Sequence, residues 1–256
     1  ERTTETFSPI SASVTSTVFP VAVWPSFLDE DICQNLRTEL ASMQFKLRSS
    51  DLYEFHQTID LKHVKPATNP LISQLCRELY SAEFLGAMER ITGRRLGGHV
   101  DISGQRYQRG DFLLCHDDRL ERRRIALILY LVDEKDEALE GGRLFALRSD
   151  EEGRPCMDNP QTVTPHWNTL AFFEVSRFSF HQVEQVFSQN SLRYSITCWF
   201  HDQEEQENDL RIHESSPLTL LPIKFACALP KESIEELIAD MDTLGLPVFR
   251  ETAHGF

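Results

Sequence analysis

The sequence lacks the features that mark membrane and secreted proteins. No apolar run approaches the ~20 residues that a transmembrane helix needs, and residues 1–17 are polar rather than hydrophobic, so no secretory signal is predicted. The six cysteines show no Cys-x-x-Cys spacing, which favours buried thiols over disulfides or zinc ligands. We therefore expect a cytoplasmic protein, or a nuclear one if its source is eukaryotic.

Net positive charge is also absent. The formal net charge is −14, with 26 Lys and Arg against 40 Asp and Glu. This balance argues against general affinity for nucleic acid and is compatible with a basic protein partner.

Two histidines and one aspartate form the most informative pattern in the chain. Residues 112–115 are apolar and predict a short strand that leads into His116 and Asp118, which would share one face because side chains alternate along a strand. His181, in a second short strand, can supply a third ligand. Two imidazoles and one carboxylate on one face of a ferrous ion are the ligand set of non-haem iron oxygenases.

A buried polar row is predicted on the strand 193–200. Arg193, Ser195, Thr197 and Trp199 share one parity and should face the same interior. A guanidinium there can bind the distal carboxylate of a 2-oxoglutarate co-substrate, and Ser195 can donate a hydrogen bond beside it.

A second His-x-Asp pair, His99 and Asp101, competes with the first. We favour His116 because a strand leads into it, whereas His99 opens its strand one step too early. His99 is interpreted as a structural or solvent histidine. His201, which borders an acidic stretch, is expected to be solvated.

The periodicity predicts a mainly β fold with N-terminal α-helices that buttress one sheet. Eight strands, the number that a double-stranded β-helix needs, follow an entering strand at 19–24, and a polar rim is expected at 150–160. The predicted helices are 28–43 and about 70–92; the strands are 98–107, 112–118, 125–132, 142–147, 161–164, 169–174, 179–184 and 193–200.

Several segments resemble one enzyme family closely. The segments are Leu113-Leu114-Cys115-His116-Asp117-Asp118, Arg123-Arg124-Ile125-Ala126, Ile128-Leu129-Tyr130-Leu131-Val132, Phe172-Phe173-Glu174-Val175-Ser176, Ser179-Phe180-His181-Gln182-Val183 and Trp199-Phe200-His201. They resemble the prolyl hydroxylases that modify a ribosomal small-subunit protein in eukaryotes, and the similarity covers about residues 102–201.

This resemblance implies a double-stranded β-helix of the jelly-roll or cupin type. It implies Fe(II) held by His116, Asp118 and His181, with 2-oxoglutarate held by Arg193 and assisted by Tyr130. Dioxygen would be the second co-substrate and ascorbate a supporting reductant. The implied substrate is a prolyl residue of a protein, expected to be a basic ribosomal protein.

The expected domain organisation places the catalytic domain at 1–201. Residues 202–256 would form an acidic linker and a docking strand and helix, or the start of a second β-helix domain such as the eukaryotic family members carry. Two other functions stay open: the same chemistry on a free amino acid or other small molecule, and a non-catalytic β-helix binding module.

Overall fold

Strands dominate the part of the chain that the computed structural model describes, residues 13–14, 19–120, 122–132 and 140–203. The strands are β1 (Ser13–Val14), β2 (Val21–Trp24), β3 (Lys46–Ser50), β4 (Tyr53–Asp60), β5 (Leu96–Tyr107), β6 (Phe112–His116), β7 (Arg123–Tyr130), β8 (Leu144–Ser149), β9 (Pro155–Val163), β10 (Thr169–Glu174), β11 (His181–Val183) and β12 (Arg193–Asp202). The helices are α1 (Glu30–Ala41), α2 (Pro70–Leu79) and α3 (Ala82–Thr92), with a 3-10 turn at Leu61–His63.

The strands pair antiparallel in the order β1-β2-β10-β7-β12-β5-β4-β6-β11-β8-β9, and β3 pairs with β4. Two layers result, a large one around β7 and β12 and a small one of β6, β11, β8 and β9. Together they make a nearly closed jelly roll, so the prediction of a mainly β, double-stranded β-helix is confirmed.

Alternation along the central strands creates two separate cores. In β7, Ile125, Leu127 and Leu129 belong to the core between the large layer and the helices. Ala126, Ile128 and Tyr130 belong to the core inside the β-helix. A strand covered on both faces is apolar on both sides, which explains why β7 reads as a continuous hydrophobic run.

The predicted buttressing helices are present, but the second one is broken. The segment predicted as one helix at about 70–92 forms α2 and α3, separated at Tyr80 and Ser81. The Ser81 side chain caps α3 by accepting a hydrogen bond from the Phe84 amide at 3.1 Å. An N-cap serine inside an apolar periodic run therefore starts a new helix without interrupting the pattern.

Two strands and the first part of a third were not predicted from the sequence. Residues 155–160, predicted as part of a polar rim, are instead the first part of β9. The hairpin of β3 and β4 was not predicted, and every residue of β3 is exposed. An edge strand that faces water on both sides carries no apolar alternation, so its pairing is not visible in the sequence.

The predictions for residues 204–256 lie outside the described residues, and the domain boundary at 201/202 stays a prediction. In the ranges that the structure describes, no helix is long and apolar enough to cross a membrane.

Helix α1 approaches β5 closely at Gly104. A Cβ atom at this position would lie 2.5 Å from Leu40 Cδ1 and 3.0 Å from Thr58 Cγ2. We expect Gly104→Ala to lower the free energy of unfolding by about 1–3 kcal/mol, because overpacking a tight core forces neighbours out of position. Chemical denaturation measures this change.

Gly98→Ala is the matched control in the same strand. An added Cβ there meets nothing within 4 Å, so its stability should stay within about 0.5 kcal/mol of the wild type. Equal losses in the two variants would contradict the packing of α1 on β5.

Candidate active site

The pairing of β6 with β11 brings two predicted ligands together. His116 and His181 are direct partners across the two strands, and their ring centroids lie 4.1 Å apart. The residues are 65 positions apart in the chain, so their approach depends on the sheet.

Asp118 completes the cluster by a different route from the one predicted. Strand β6 ends at His116, and Asp118 has a left-handed backbone with φ of 61°. The argument from strand parity was therefore wrong, although Asp118 does lie beside both histidines. Aspartate tolerates this conformation better than most residues do.

The three side chains point their donor atoms at one another. His116 Nε2 lies 3.4 Å from Asp118 Oδ1, and His181 Nε2 lies 3.4 Å from Asp118 Oδ2. Each residue offers one ligand atom to the cluster, and these three atoms lie within 4.8 Å of one another. This donor set fits a divalent cation such as Fe(II).

Backbone carbonyls select the tautomer of both histidines. His116 Nδ1 donates to the Leu114 carbonyl at 2.8 Å, and His181 Nδ1 donates to the Ser179 carbonyl at 2.7 Å. A carbonyl can only accept, so Nδ1 carries a proton, and in the neutral imidazole the Nε2 lone pair is the one that faces the cluster. Metal-binding histidines are commonly held in this way.

Asp118 is ionised and held in place by its neighbours. Burial opposes its charge, but the imidazoles, with His181 the stronger, hold the pKa of Asp118 well below its usual range. The Asp118 carboxylate in turn raises the pKa of His116 against the effect of burial. Trp199 Nε1 donates to Asp118 Oδ2 at 2.9 Å, and an Arg123 Nη lies 3.8 Å from Oδ1.

The predicted polar row faces the interior of the β-helix. Arg193 is only 1% exposed, and its guanidinium carbon lies 4.7 Å and 5.1 Å from the ring centroids of Tyr107 and Tyr130. Among the described residues, several buried polar atoms of this region have no hydrogen-bond partner. They are Tyr107 Oη, Tyr130 Oη, Arg193 Nε and Nη1, Ser195 Oγ and Thr197 Oγ1.

These unpartnered atoms indicate a site for an anionic ligand. Burying polar groups without partners is costly, and a buried guanidinium needs a negative partner. A dicarboxylate such as 2-oxoglutarate supplies one carboxylate for Arg193 and leaves the other for a metal. The residues present therefore fit this co-substrate.

Tyr107 was missed as a site residue by the sequence analysis. It lies directly opposite Arg193 across β5 and β12. Tyr107 and Asp101 are an even number of residues apart on β5, so they face the same side of the sheet. The local pattern did not show which strand lies beside β12, so Tyr107 could not be assigned to the site. Burial raises the pKa of both Tyr107 and Tyr130, so their hydroxyls stay protonated and able to donate.

A second His-Asp-His cluster corrects the interpretation of His201. This residue is buried rather than solvated, and its Nε2 lies 3.1 Å from Asp101 Oδ2. Burial lowers the pKa of His201. His99 Nε2 lies 3.2 Å from Asp101 Oδ1, but its side chain is 54% exposed. In the described ranges, no carbonyl contacts Nδ1 of either histidine, unlike in the first cluster.

Comparison with known proteins shows what the chain is similar to. Residues 102–201 match the model of the 2OG-Fe(II) oxygenase superfamily. His116, Asp118, His181 and Arg193 all lie within the match, whereas His99 and Asp101 lie outside it.

Among curated proteins, the chain is similar to prolyl hydroxylases. It is 43% identical over 180 residues to prolyl 3-hydroxylase OGFOD1 of Mus musculus and 40% identical over 194 residues to prolyl 3-hydroxylase OGFOD1 of Xenopus laevis. The alignments cover 70% and 75% of this chain but 32% and 36% of those proteins. The chain thus spans about a third of their length.

A solved structure supports the fold. A Pseudomonas putida prolyl-4-hydroxylase superimposes with a TM-score of 0.58 at 18% sequence identity, covering 72% of this chain and 93% of that one.

The first cluster predicts a sharp difference between adjacent aspartates. We expect Asp118→Ala to lose the charge-transfer absorption that appears when Fe(II) and 2-oxoglutarate are bound together without oxygen, because one of three metal donors is removed. Asp117→Ala should keep it, since within the described residues the Asp117 carboxylate accepts from the Arg119 amide and belongs to neither cluster. Anaerobic absorption spectroscopy measures both.

The same absorption band shows which of the two His-Asp-His clusters binds iron. Asp101→Ala should keep the absorption band. Loss of the band in Asp101→Ala, with retention in Asp118→Ala, would move the iron site to His99, Asp101 and His201.

Proposed function

We propose that this protein is an Fe(II)- and 2-oxoglutarate-dependent dioxygenase that hydroxylates a prolyl residue in a protein substrate. One observation carries the proposal. The Phe173 ring packs in the same interior core as Tyr107 and Tyr130, which flank Arg193, and its centroid lies 4.7 Å from that of the His181 ring. The metal-binding cluster and the anion site therefore line the same interior core.

In this proposal His116, Asp118 and His181 hold the metal on one face. Bound iron, with 2-oxoglutarate and O2, supplies the oxidant that hydroxylates a C–H bond while 2-oxoglutarate becomes succinate and carbon dioxide. The two carbonyl-bound Nδ1 protons keep the Nε2 lone pairs available, and the Trp199 indole keeps the Asp118 carboxylate oriented.

Arg193 binds the distal carboxylate of 2-oxoglutarate. Tyr130 and Ser195 donate hydrogen bonds beside it, as do Tyr107 and Thr197. These groups are buried, so the bound carboxylate is shielded from water and its attraction to the guanidinium is strengthened.

The proposed substrate is a ribosomal small-subunit protein. The support comes from the resemblance in the segments around residues 102–201 and from the relatives whose names state prolyl hydroxylation. The net charge of −14 favours a basic protein partner. We place this activity in the cytoplasm or the nucleus, with ascorbate as a supporting reductant.

Replacing Arg193 should weaken the binding of 2-oxoglutarate. We expect Arg193→Ala to weaken 2-oxoglutarate binding by about 2–5 kcal/mol, because one partner of a buried charge pair is lost. Arg193→Lys should recover only part of this, since an ammonium cannot form the planar bidentate contact. Calorimetric titration of 2-oxoglutarate into protein loaded with a redox-inert divalent metal measures the change.

Thermal unfolding gives an independent readout of the same variant. The wild type should be stabilised by added 2-oxoglutarate, whereas Arg193→Ala should not respond. The control is Arg109→Ala, which replaces an exposed arginine whose described hydrogen bond is to Gln189, and it should behave as the wild type. Unchanged 2-oxoglutarate affinity in Arg193→Ala would require another anchor for the co-substrate.

The substrate proposal predicts salt-sensitive turnover. Incubation with a folded ribosomal small-subunit protein should add one oxygen to a proline, detected by mass spectrometry of its peptides. Added salt should slow this reaction more than it slows uncoupled decay of 2-oxoglutarate, because screening weakens attraction between an acidic enzyme and a basic protein. Oxygen found only on free amino acids would favour the small-molecule alternative.

A further inference from the structure

The His99, Asp101 and His201 cluster repeats the donor arrangement of the proposed iron site. In both clusters a histidine and an aspartate are two residues apart and a distant histidine completes the set. In both, each Nε2 faces a different oxygen of the shared carboxylate. The separations are 3.2 Å and 3.1 Å here, against 3.4 Å at each contact in the first cluster.

Two adjacent strands hold the second cluster. His99 and Asp101 lie on β5, and His201 lies near the end of β12, which pairs with β5 over most of its length. Asp101 is directly opposite Trp199, the residue that donates to Asp118. The second cluster therefore continues the interior row of β12 beyond the iron site.

These distances suit a small divalent cation. A tetrahedral Zn²⁺ with ligands at about 2.0–2.1 Å separates its donor atoms by about 3.3 Å. Imidazole nitrogen and carboxylate oxygen are both ordinary zinc ligands. His201 is buried and His99 is half exposed, so a bound cation would have protein on one side and solvent access on the other.

Arg123 does not exclude a cation from this position. Its guanidinium lies 3.7 Å from Asp101 Oδ2 and 3.8 Å from Asp118 Oδ1. The Arg123 guanidinium therefore lies at nearly the same distance from the carboxylates of both clusters. Its positive charge disfavours cation binding at the two clusters to a similar degree.

The geometry points to a second divalent-cation site, of the Zn²⁺ type, formed by His99, Asp101 and His201 beside the iron site. It is weaker than the first, because no carbonyl among the described residues fixes the tautomer of either histidine. This site does not depend on the proposed hydroxylase activity.

The test is a count of bound metal. Full-length protein is stripped with a chelator, equilibrated with Zn²⁺ by dialysis, and analysed for zinc per chain. The wild type should bind one more equivalent than Asp101→Ala, and Asp118→Ala should also lose one equivalent. The double variant should lose two. In the Asp118→Ala background, Co²⁺ should give ligand-field absorption that His99→Ala removes.

Controls keep the outcome unambiguous. His166→Ala replaces an exposed histidine outside both clusters and should bind as much zinc as the wild type. Asp101→Asn preserves side-chain shape if Asp101→Ala fails to fold, and His99→Ala changes only a half-exposed residue. If Asp101→Asn and His99→Ala fold and bind the wild-type amount of zinc, the second cluster is a hydrogen-bonded network only and the proposal is overturned.

Discussion

Strand register is the constraint on which both the core and the candidate site depend. It sets His116 opposite His181 and Tyr107 opposite Arg193. Because successive side chains in a strand point to opposite faces, a slip of one residue would turn these groups out of the interior. The apolar residues of β12 that face the helices, such as Ile196, resist such a slip because it would expose them to the polar interior.

Charge inside the β-helix is distributed unevenly. Asp118 has two imidazoles and an indole N–H around it, whereas Arg193 lies against two tyrosine rings and has no ion pair among the described residues. Cation–π contacts offset part of the desolvation of a guanidinium, but they do not neutralise it. The ligand-free protein therefore holds a positive charge that an anion stabilises, and binding and stability are linked at this residue.

Arg123 connects the two histidine clusters. It packs against the Trp199 ring at 4.0 Å and lies between the carboxylates of Asp101 and Asp118. A cation at either cluster competes with this guanidinium for a carboxylate. The geometry of the proposed iron site thus depends on Arg123, which has no described contact with His116 or His181.

The sequence by itself determined the strand alternation and the interior row of Arg193 to Trp199, because both follow from local periodicity. It did not determine the break between α2 and α3, the hairpin of β3 and β4, or the left-handed backbone at Asp118. The contact of His201 with Asp101, 100 residues away, was decided only by tertiary structure. Such contacts depend on which strands become neighbours. Strand order is set by the burial of apolar residues over the whole sheet, so no single segment of the sequence predicts it.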